Sequence, residues 1–465
     1  MNLNQVLSGE AGLAGVQDVL LGFPARTALR HALRALLPDP AVLGSCRLRR
    51  AKFKPDRKLT AYYDVTLRAE TSGARSIRPI AVTWLPPGST YDTSPQLFDL
   101  QAEAQHRSLA DPFRQLMADL PMPGSRLLIA PLDPHFPQLV RLSDPQYVSD
   151  MIATAAAMPA STITPSPRYA VNSIRYRPGQ RHVLRYDLVS ATDQTKQQKM
   201  IFAKLYRGED GARAQRIAMQ LGDWLTIWGS SVSAVRPLAY TAADASVLYP
   251  DVAGVPLSEH LRRSTCAMAG WLEQAATALQ VLHRAPPTLT GELTPHDLTA
   301  EIKAIARASE HVHALLPHVG ATIDALLHRV YDAYARLPAE SPACVHGDFK
   351  ADHLWVTPTG LTLIDFDTCR LADPALDVGK FLADLCWWYD TLHRSDVEQA
   401  QAHFLEAYAR GVPRARLLRA RLYEVIVLIK ITVRRVPLFD RDWISRTERL
   451  IGRAEGLFKA TANAR

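Results

Sequence analysis

Two aspartates in one stretch have the residue type and the spacing that phosphoryl transfer requires. The stretch CVHGDFKADHLWVTPTGLTLIDFDTCRLADPALD covers residues 344–377, with Asp348 just after an apolar approach and Asp365 inside the apolar run LTLIDF. The two acids therefore stand at the ends of a predicted short hairpin. In phosphoryl transfer one carboxylate orients the acceptor hydroxyl and another holds a metal ion on the nucleotide. The pair suits that chemistry.

The composite pattern is more specific than any one of its triplets. HGD is followed by a polar position five residues after its aspartate, and then by IDF about a dozen residues further on. This pattern resembles the catalytic core of the aminoglycoside phosphotransferase family, small-molecule kinases that share the protein-kinase fold. The resemblance implies that Asp348 is the catalytic base and that Asp365 is the metal-binding aspartate. Asp373 and Asp377 in ADPALD match the family's GDPxxD segment.

Four further side chains of this stretch have predicted roles. Lys350 occupies a position at which protein kinases carry a phosphate-contacting lysine, and an exposed surface charge is the alternative. His346 is expected to bond to backbone and support Asp365, rather than to act as an acid or base. Asp373 is expected to brace the loop, and Asp377 is expected to do so from the start of a helix.

His353 departs from the family pattern, which has asparagine five residues after the base. Mg²⁺ is a hard cation that prefers oxygen ligands, whereas imidazole suits softer transition metals. Three alternatives are open. His353 binds a metal such as Mn²⁺, serves a single metal through water, or hydrogen-bonds to Asp365 without touching a metal. The cofactors implied by the resemblance are ATP and Mg²⁺, with Mn²⁺ as the alternative ion, and the acceptor is a hydroxyl of a small molecule.

Composition places the chain among globular proteins of two or three domains, since it has 465 residues and 47% hydrophobic content. Its net charge of +8 would attract nucleic acid or ATP, but Lys and Arg are spread along the chain, which disfavours nucleic-acid binding. The five cysteines form no CxxC pair, so they predict neither a disulfide framework nor a zinc site and fit a reducing cytoplasm. No export signal or membrane anchor is expected.

An internal repeat organises the N-terminal half. Helical spacing over residues 4–37 is followed by alternating residues around the Pro55-Asp56 turn, which predict a hairpin, and by a third strand, IRPIAVTWL. About 120 residues later SIRYRPGQRHVLRYDLV repeats the hairpin, with Pro178 against Pro55, and MIFAKLYRG supplies its third strand. A helix is predicted after each third strand. The pattern predicts a duplicated N-terminal kinase lobe.

The two copies differ in chemistry. Lys204 lies on the third strand of the second copy, where kinases place the lysine that pairs with the nucleotide phosphates, and Val82 aligns with it in the first copy. Only the second copy is therefore expected to bind ATP. Strand alternation puts Phe202 on the same face as Lys204, beside a predicted adenine pocket. The first copy either caps the substrate cleft or has only a packing role in the structure.

No GxGxxG motif is present, so another segment must serve as the phosphate loop. The best candidate is the hairpin tip Arg177–Arg181, where Gly179 permits a tight turn and Arg177 or Arg181 would touch phosphate. An ordinary Pro-Gly turn with solvated arginines is the alternative. The glutamate that pairs with the lysine in kinases is not identified, because Glu209 lies too close to the strand.

The predicted fold is α+β, a protein-kinase-like two-lobed fold with a duplicated N-terminal β-rich lobe and a mainly helical C-terminal lobe. Residues 1–160 form a degenerate, cap-like copy, 161–250 the nucleotide-binding lobe, and 251–465 the helical lobe. The Pro-rich stretches of 121–168 are expected to be connecting structure. The predicted function is ATP-dependent phosphorylation of a sugar, aminoglycoside or amino alcohol. A pseudokinase that binds nucleotide without turnover is the alternative.

Overall fold

The structure is a computed structural model that describes residues 2–68, 75–91, 95–121, 124–155, 168–189, 200–263, 268–289, 291 and 293–463. The chain forms two compact units. Unit 1 comprises Met1–Arg213, Pro237–Asp251 and Pro437–Asp440, and unit 2 comprises Ala214–Arg236, Val252–Val436 and Arg441–Arg465. The predicted boundary after residue 250 lies next to the change of unit between Asp251 and Val252. The predicted boundary at 160/161 lies outside the described residues.

Helices alternate along the chain with mainly antiparallel sheets, which confirms the α+β prediction at this level. The helices are α1 (Leu3–Ser8), α2 (Gly12–Leu21), α3 (Phe23–Ala35), α4 (Pro95–His106), α5 (Gln138–Leu142), α6 (Pro145–Ala155), α7 (Asp210–Trp228), α8 (Leu257–Arg263), α9 (Met268–His283), α10 (Leu298–Leu315), α11 (Pro317–Ala335), α12 (Ala375–Thr391), α13 (Val397–Tyr408), α14 (Arg414–Arg435) and α15 (Trp443–Asn463). The strands are β1 (Leu43–Lys54), β2 (Lys58–Arg68), β3 (Arg75–Trp84), β4 (Met117–Asp119), β5 (Ser125–Ile129), β6 (Tyr169–Arg177), β7 (Arg181–Leu188), β8 (Met200–Leu205), β9 (Val232–Ala234), β10 (Ala239–Thr241), β11 (Ser246–Pro250), β12 (Val255–Pro256), β13 (Pro295–His296), β14 (Ala343–Val345), β15 (Leu354–Thr357), β16 (Gly360–Leu363) and β17 (Arg370–Ala372).

Unit 1 begins with the helices predicted from residues 4–37. The Asn2 side chain accepts the backbone N–H of Asn4 and so caps α1, and Gly9 ends that helix in a left-handed conformation. α2 and α3 follow, and α3 ends at Ala35, before Pro38 and Pro40. The predicted first hairpin is β1–β2, which closes with Lys54 opposite Lys58 around Asp56. Because β2 is the strand between β1 and β3, most of its residues are buried.

The two sheets of unit 1 have the same strand order. The first runs β1-β2-β3-β5-β4 and the second β6-β7-β8-β11-β10, and neighbouring strands are antiparallel in both. In each sheet the first three strands are consecutive in sequence, and a helix, α4 or α7, begins after the third. The repeat seen in the sequence therefore corresponds to two sheets of like connectivity.

The register of the strands corrects one alignment between the two sheets. Both hairpins close at equivalent positions, with Lys54 opposite Lys58 and Arg177 opposite Arg181. Counting from those ends, Lys204 pairs with Val183 in the second sheet, and the matching pair in the first is Thr60 with Thr83. The residue equivalent to Lys204 is therefore Thr83, and the predicted equivalence of Val82 is wrong. Sequence similarity alone could not determine where the one-residue alignment gap before the third strand belongs.

The Pro-rich stretch between the sheets contains only short elements in its described part. β5, α5 and α6 lie there, the longest being α6 with 11 residues. This agrees with the expectation of connecting structure without long elements. Its last part, residues 156–167, lies outside the described residues.

Unit 2 is built on helices whose central members are buried on most sides. α12 is buried from Ala375 to Tyr389 except at Lys380, and α14 has a continuous buried run from Leu422 to Ile429. Such helices form the interior of a bundle. Two small sheets lie in the same unit, in the orders β12-β15-β16-β9 and β13-β17-β14; β13–β17 and β9–β16 are parallel pairs. These sheets carry the predicted catalytic stretch. Among the described residues no helix is both long and apolar enough to cross a membrane.

Candidate active site

A short hairpin separates the two predicted catalytic acids, as the sequence predicted. β14 ends at Val345 and leads into His346, Gly347 and Asp348, and a 3₁₀ turn at Ala351–His353 then leads into β15. β15 pairs with β16 from Leu354 opposite Leu363 to Thr357 opposite Gly360. Asp365 follows directly after β16 and Ile364, and the N–H of Ile364 donates to the carbonyl oxygen of His353 at 3.1 Å. The hairpin therefore brings the segments that carry the two acids side by side.

The Asp377 carboxylate holds the loop that carries Asp348. Its two oxygens accept the backbone N–H groups of His346, at 2.6 Å, and of Gly347, at 2.8 Å. Asp377 lies in the first turn of α12 and is fully buried, and His283 approaches it at 3.4 Å. Burial alone would raise the pKa of Asp377, but the hydrogen bond from His283 and the bonded loop lower it. Asp377 thus braces the loop from a helix start, as expected.

Two more contacts fix the shape of this loop. The His346 Nε2–H donates to the carbonyl oxygen of Ile364 at 3.0 Å, next to Asp365, which is the supporting role expected for His346. Gly347 has φ +74°, and a Cβ at this position would collide with the carbonyl oxygen of Thr368. Only glycine meets both conditions. The Thr368 hydroxyl in turn donates to the carbonyl oxygen of His346 at 3.0 Å.

Two lysines contact the carboxylate of Asp348. The Lys350 ammonium lies 2.5 Å from Oδ2, and the Lys380 ammonium, from α12, lies 3.1 Å from Oδ1. Burial would raise the pKa of Asp348, but the positive charges of Lys380 and Lys350 outweigh it and hold the pKa well below its ordinary value. Asp348 is therefore ionised and can orient a hydroxyl rather than store a proton.

His353 lies between the two acids. Its Nδ1 is 3.0 Å from the backbone oxygen of Asp348, which can only accept, so Nδ1 carries the proton of the neutral ring. Burial lowers the pKa of His353 to about 3, despite the opposing charge of Asp365, so the ring is neutral. Its Nε2 lone pair then faces the carboxylate oxygen Oδ2 of Asp365 at 3.3 Å. Two acceptors at this distance repel each other unless a cation lies between them.

This pair of atoms fits a metal ion. Cis ligands of an octahedral Mg²⁺ or Mn²⁺ lie about 3 Å apart, close to the separation of His353 Nε2 and Asp365 Oδ2. Asp365 adopts a left-handed conformation with φ 68°, a strained geometry of the kind found at functional sites. Within the described part of the chain no group of three or more His, Cys, Asp or Glu could hold a metal. One or two protein ligands are sufficient where nucleotide phosphates complete the coordination.

The predicted nucleotide residues lie in unit 1. β8 alternates between half-exposed and buried side chains, which places Met200, Phe202 and Lys204 on one face as expected. β11 pairs with β8, with Tyr249 opposite Phe202, and the Lys204 ammonium lies 5.3 Å from the centre of the Tyr249 ring. The segment predicted to contact the adenine edge, residues 248–251, thus includes the end of a strand beside the lysine strand.

The predicted phosphate loop is a tight turn that packs on its own unit. Gly179 has φ +73°, as the turn requires, but its N–H donates to the buried carboxylate of Asp133 at 2.8 Å. Gln180 donates to the hydroxyl of Tyr62 at 3.1 Å. Burial, followed by neighbouring arginines, lowers the pKa of Arg177 to about 10. A carboxylate at the tip repels phosphate, so these contacts favour the ordinary-turn alternative, and the roles of Arg177 and Arg181 stay predictions.

Sequence reasoning missed two features of the site. The first is Lys380, which has no motif around it, although it lies three residues after Asp377 on the same helix face and so could have been placed near the loop. The second is the network around Asp373, whose carboxylate accepts Ala375 N–H, the Tyr334 hydroxyl and Arg419 Nε at 2.9, 2.7 and 2.7 Å. Arg419 is buried and also pairs with Glu340.

A comparison with protein families tests the resemblance that the motifs of this stretch suggest. Residues 189–418 match the model of the phosphotransferase enzyme family. This match confirms, over this part of the chain, the resemblance drawn from the motifs.

Solved structures that match this chain include an aminoglycoside phosphotransferase and proteins named as choline kinases. The GDP complex of wild-type aminoglycoside 2'-phosphotransferase-IIIa is 17% identical, with a TM-score of 0.45 over 67% of this chain and 99% of that one. A choline/ethanolamine kinase family protein from Mesorhizobium loti is 16% identical, with a TM-score of 0.44 over 67% and 94%. Choline kinase from Cryptosporidium parvum Iowa II is 11% identical, with a TM-score of 0.46 over 68% and 96%. No curated protein sequence matches significantly.

Proposed function

We propose that this protein is an ATP-dependent phosphotransferase that transfers the γ-phosphoryl group to a hydroxyl of a small molecule. The observation that carries the proposal is the arrangement around Asp348. Its loop is fixed by Asp377, its carboxylate is ionised, and it is joined through His353 to Asp365. Transfer of a phosphoryl group depends on positioning and electrostatic stabilisation, and these contacts supply both.

Each residue has a role in this proposal. Asp348 accepts or steers the proton of the acceptor hydroxyl, and Lys350 contacts the transferred phosphoryl group. Asp365 and His353 Nε2 hold the metal ion, which neutralises charge on the phosphates of ATP. Lys204 pairs with the nucleotide phosphates and Phe202 lines the adenine pocket. Arg177, Gly179 and Arg181 are the phosphate loop predicted from the sequence, and the bond from the Gly179 N–H to Asp133 weighs against that role. Mg²⁺ is the proposed ion and Mn²⁺ its alternative.

We also propose that the two sheets of unit 1 are copies of a kinase N-terminal lobe, with 1–160 as a degenerate, cap-like copy, 161–250 as the nucleotide-binding lobe and 251–465 as the helical lobe. Their equal strand orders support this proposal. A cytoplasmic location stays a prediction from the cysteine content. The acceptor is a sugar, an aminoglycoside or an amino alcohol in the broadest form of the proposal.

The test is transfer of labelled phosphate from ATP to a panel of sugars, aminoglycosides and amino alcohols. Asp348→Asn keeps the shape of the side chain and removes its charge, so transfer should fall by about 10²- to 10⁴-fold with ATP still bound. Asp324→Asn, at an exposed site on α11, is the control. If ATP binds, no acceptor is labelled, and both variants behave like the parent protein, the pseudokinase alternative replaces this proposal. His353 keeps contact with both acids, so its replacement of asparagine is not in itself a reason for lost turnover.

A further inference from the structure

Lys380 is a cation beside the proposed catalytic base that no motif assigns. It is the one half-buried residue in the otherwise buried first four turns of α12. Its ammonium lies 3.1 Å from Asp348 Oδ1, while Lys350 occupies Oδ2 of the same carboxylate. Among the described residues Asp348 is its only ion-pair partner. Since one carboxylate faces two ammonium groups, one positive charge remains beside the base.

More cations lie around Lys380 within unit 2. Burial lowers the pKa of Lys430 on α14 against the opposing effect of Glu301, and the positive charges of Arg434 and Lys380 lower it further. Arg435 lies 2.8 Å from Asp384 on α12. The cations of this surface are therefore supplied by one loop and two helices.

The two lysines at Asp348 share one carboxylate, and the nearby acids Glu301 and Asp384 are paired elsewhere. Glu301 pairs with Lys430 at 2.6 Å and Asp384 with Arg435, so these acids are already neutralised. Asp348 has to neutralise both of its lysines, and Asp365 belongs to the proposed metal site. A cationic acceptor would meet like charge at this surface, which costs binding energy, whereas an anionic acceptor would gain it.

We propose that the acceptor carries an anionic group, a carboxylate or a phosphate, and that Lys380 binds it. This inference rests on the proposed function, because it names the substrate class of the same site. An ammonium has three donors, so Lys380 keeps its contact with Asp348 while it bonds to an anion. Because Lys380 lies against the oxygen of the base, the anionic group lies within a few bonds of the reacting hydroxyl. Hydroxy acids and phosphorylated alcohols meet this requirement, and polycationic aminoglycosides and choline do not.

The test is calorimetric binding to the full-length protein with Mg²⁺ and a non-hydrolysable ATP analogue. The probes are glycerate and glycerol 3-phosphate as anions, glycerol as the neutral alcohol, and kanamycin as the polycation. We expect both anions to bind at least about tenfold more tightly than glycerol or kanamycin. Lys380→Ala should weaken anion binding by at least about tenfold, and Lys380→Arg should retain most of it because it keeps the charge. Lys459→Ala, an exposed lysine on α15, is the matched control.

Several outcomes would overturn the inference. They are kanamycin binding more tightly than the anions, no anion binding at all, or anion affinities that are equal in the parent and in Lys380→Ala. A loss of nucleotide affinity in Lys380→Ala with unchanged anion affinity would also overturn it, because Lys380 would then serve the transferred phosphoryl group. Thermal unfolding checks that each variant is folded.

The two proposals fail separately. Titrations without nucleotide measure the anion site even if ATP does not bind, and absence of ATP binding refutes the proposed function alone. Conversely, the phosphotransferase proposal would stand and the proposal of an anionic acceptor would be refuted by one result. That result is Asp348-dependent transfer to a polycation or to choline without transfer to any anion.

Discussion

At the scale of single residues, the position of Asp348 depends on side chains that take no part in the chemistry. Asp377 accepts two successive N–H groups of the loop, and Gly347 allows the turn between them. A buried carboxylate that accepts two backbone N–H groups contributes more to the free energy of unfolding than one ordinary hydrogen bond does. Its removal would leave both N–H groups without a partner. Asp377 of the motif ADPALD therefore holds the backbone of the motif HGD in place.

Asp377→Asn should destabilise unit 2 and slow transfer. Asparagine offers one acceptor where two are used, so its amide N–H₂ would face a backbone N–H. We expect the free energy of unfolding to fall by about 2–4 kcal/mol, measured by urea denaturation. Asp324→Asn should change it by less than about 0.5 kcal/mol. Equal stabilities of the two variants would contradict the bracing role.

His353→Asn tests the metal site by restoring the residue that the family carries. The amide oxygen is a harder ligand than imidazole, so the variant should prefer Mg²⁺ more strongly than the parent protein. We expect the ratio of activity with Mn²⁺ to activity with Mg²⁺ to fall by roughly tenfold. An unchanged ratio would mean that His353 does not touch the metal and only hydrogen-bonds within the site.

The sequence predicted the acids of the site and their supports but not all of their neighbours. Asp348, Asp365, Asp377 and His346 stand in one short stretch, where spacing and apolar flanks are informative. Lys380 lies on a helix beyond that stretch, and only the three-dimensional path of α12 brings it to Asp348. Side chains that meet through tertiary packing leave no local pattern to read.

At the scale of elements, a buried glutamate joins three of them in unit 2. Glu301 on α10 accepts from Lys430 on α14 at 2.6 Å and from His296 on β13 at 2.9 Å. β13 in turn pairs with β17, which follows the loop of Asp365. Burial would raise the pKa of Glu301, but His296 and Lys430 outweigh it and lower the pKa to about 2. The ionised carboxylate of Glu301 therefore stabilises the folded state.

Glu301 should make unit 2 sensitive to acid. Because its pKa is lower in the folded state than in the unfolded state, its contribution is complete above pH ~4.5 and is lost as pH falls towards 2. The full shift corresponds to roughly 3 kcal/mol. Urea unfolding at pH 6 and pH 3.5 should show a smaller loss for Glu301→Gln than for the parent protein. Glu448→Gln, at an exposed pair on α15, is the control, and an equal acid effect in all three proteins would contradict the assignment.

The elements themselves were largely predictable. Alternation and turn residues located β1, β2, β6 and β7, and helical spacing located the N-terminal helices, because in these segments local preference and final burial agree. Short strands such as β13 and β17, of two and three residues, have too few positions to show a period. They exist because tertiary contacts bring their backbones together.

At the scale of the whole molecule, unit 1 contains two sheets of equal strand order and unequal chemistry. The second sheet has Lys204 where the first has Thr83. Opposite Thr83 lies Arg126, whose guanidinium stacks 4.5 Å from the Tyr91 ring and pairs with Asp119. The Tyr91 hydroxyl donates to the carbonyl oxygen of Thr83 at 2.6 Å. The first sheet thus has a threonine at the position of Lys204, and the arginine on the neighbouring strand is engaged in packing.

One chain should therefore bind one nucleotide, through the second sheet. Lys204→Met keeps the volume of the side chain and removes its charge, so the KM for ATP should rise by about tenfold or more. Thr83→Val is the matched change in the first sheet and should leave the KM for ATP within about twofold, since no charge is lost. Calorimetry of the parent protein should give a stoichiometry of one. Two nucleotides per chain, or an equal rise in KM in both variants, would mean that the first sheet also binds ATP and that the loss of the lysine did not inactivate it.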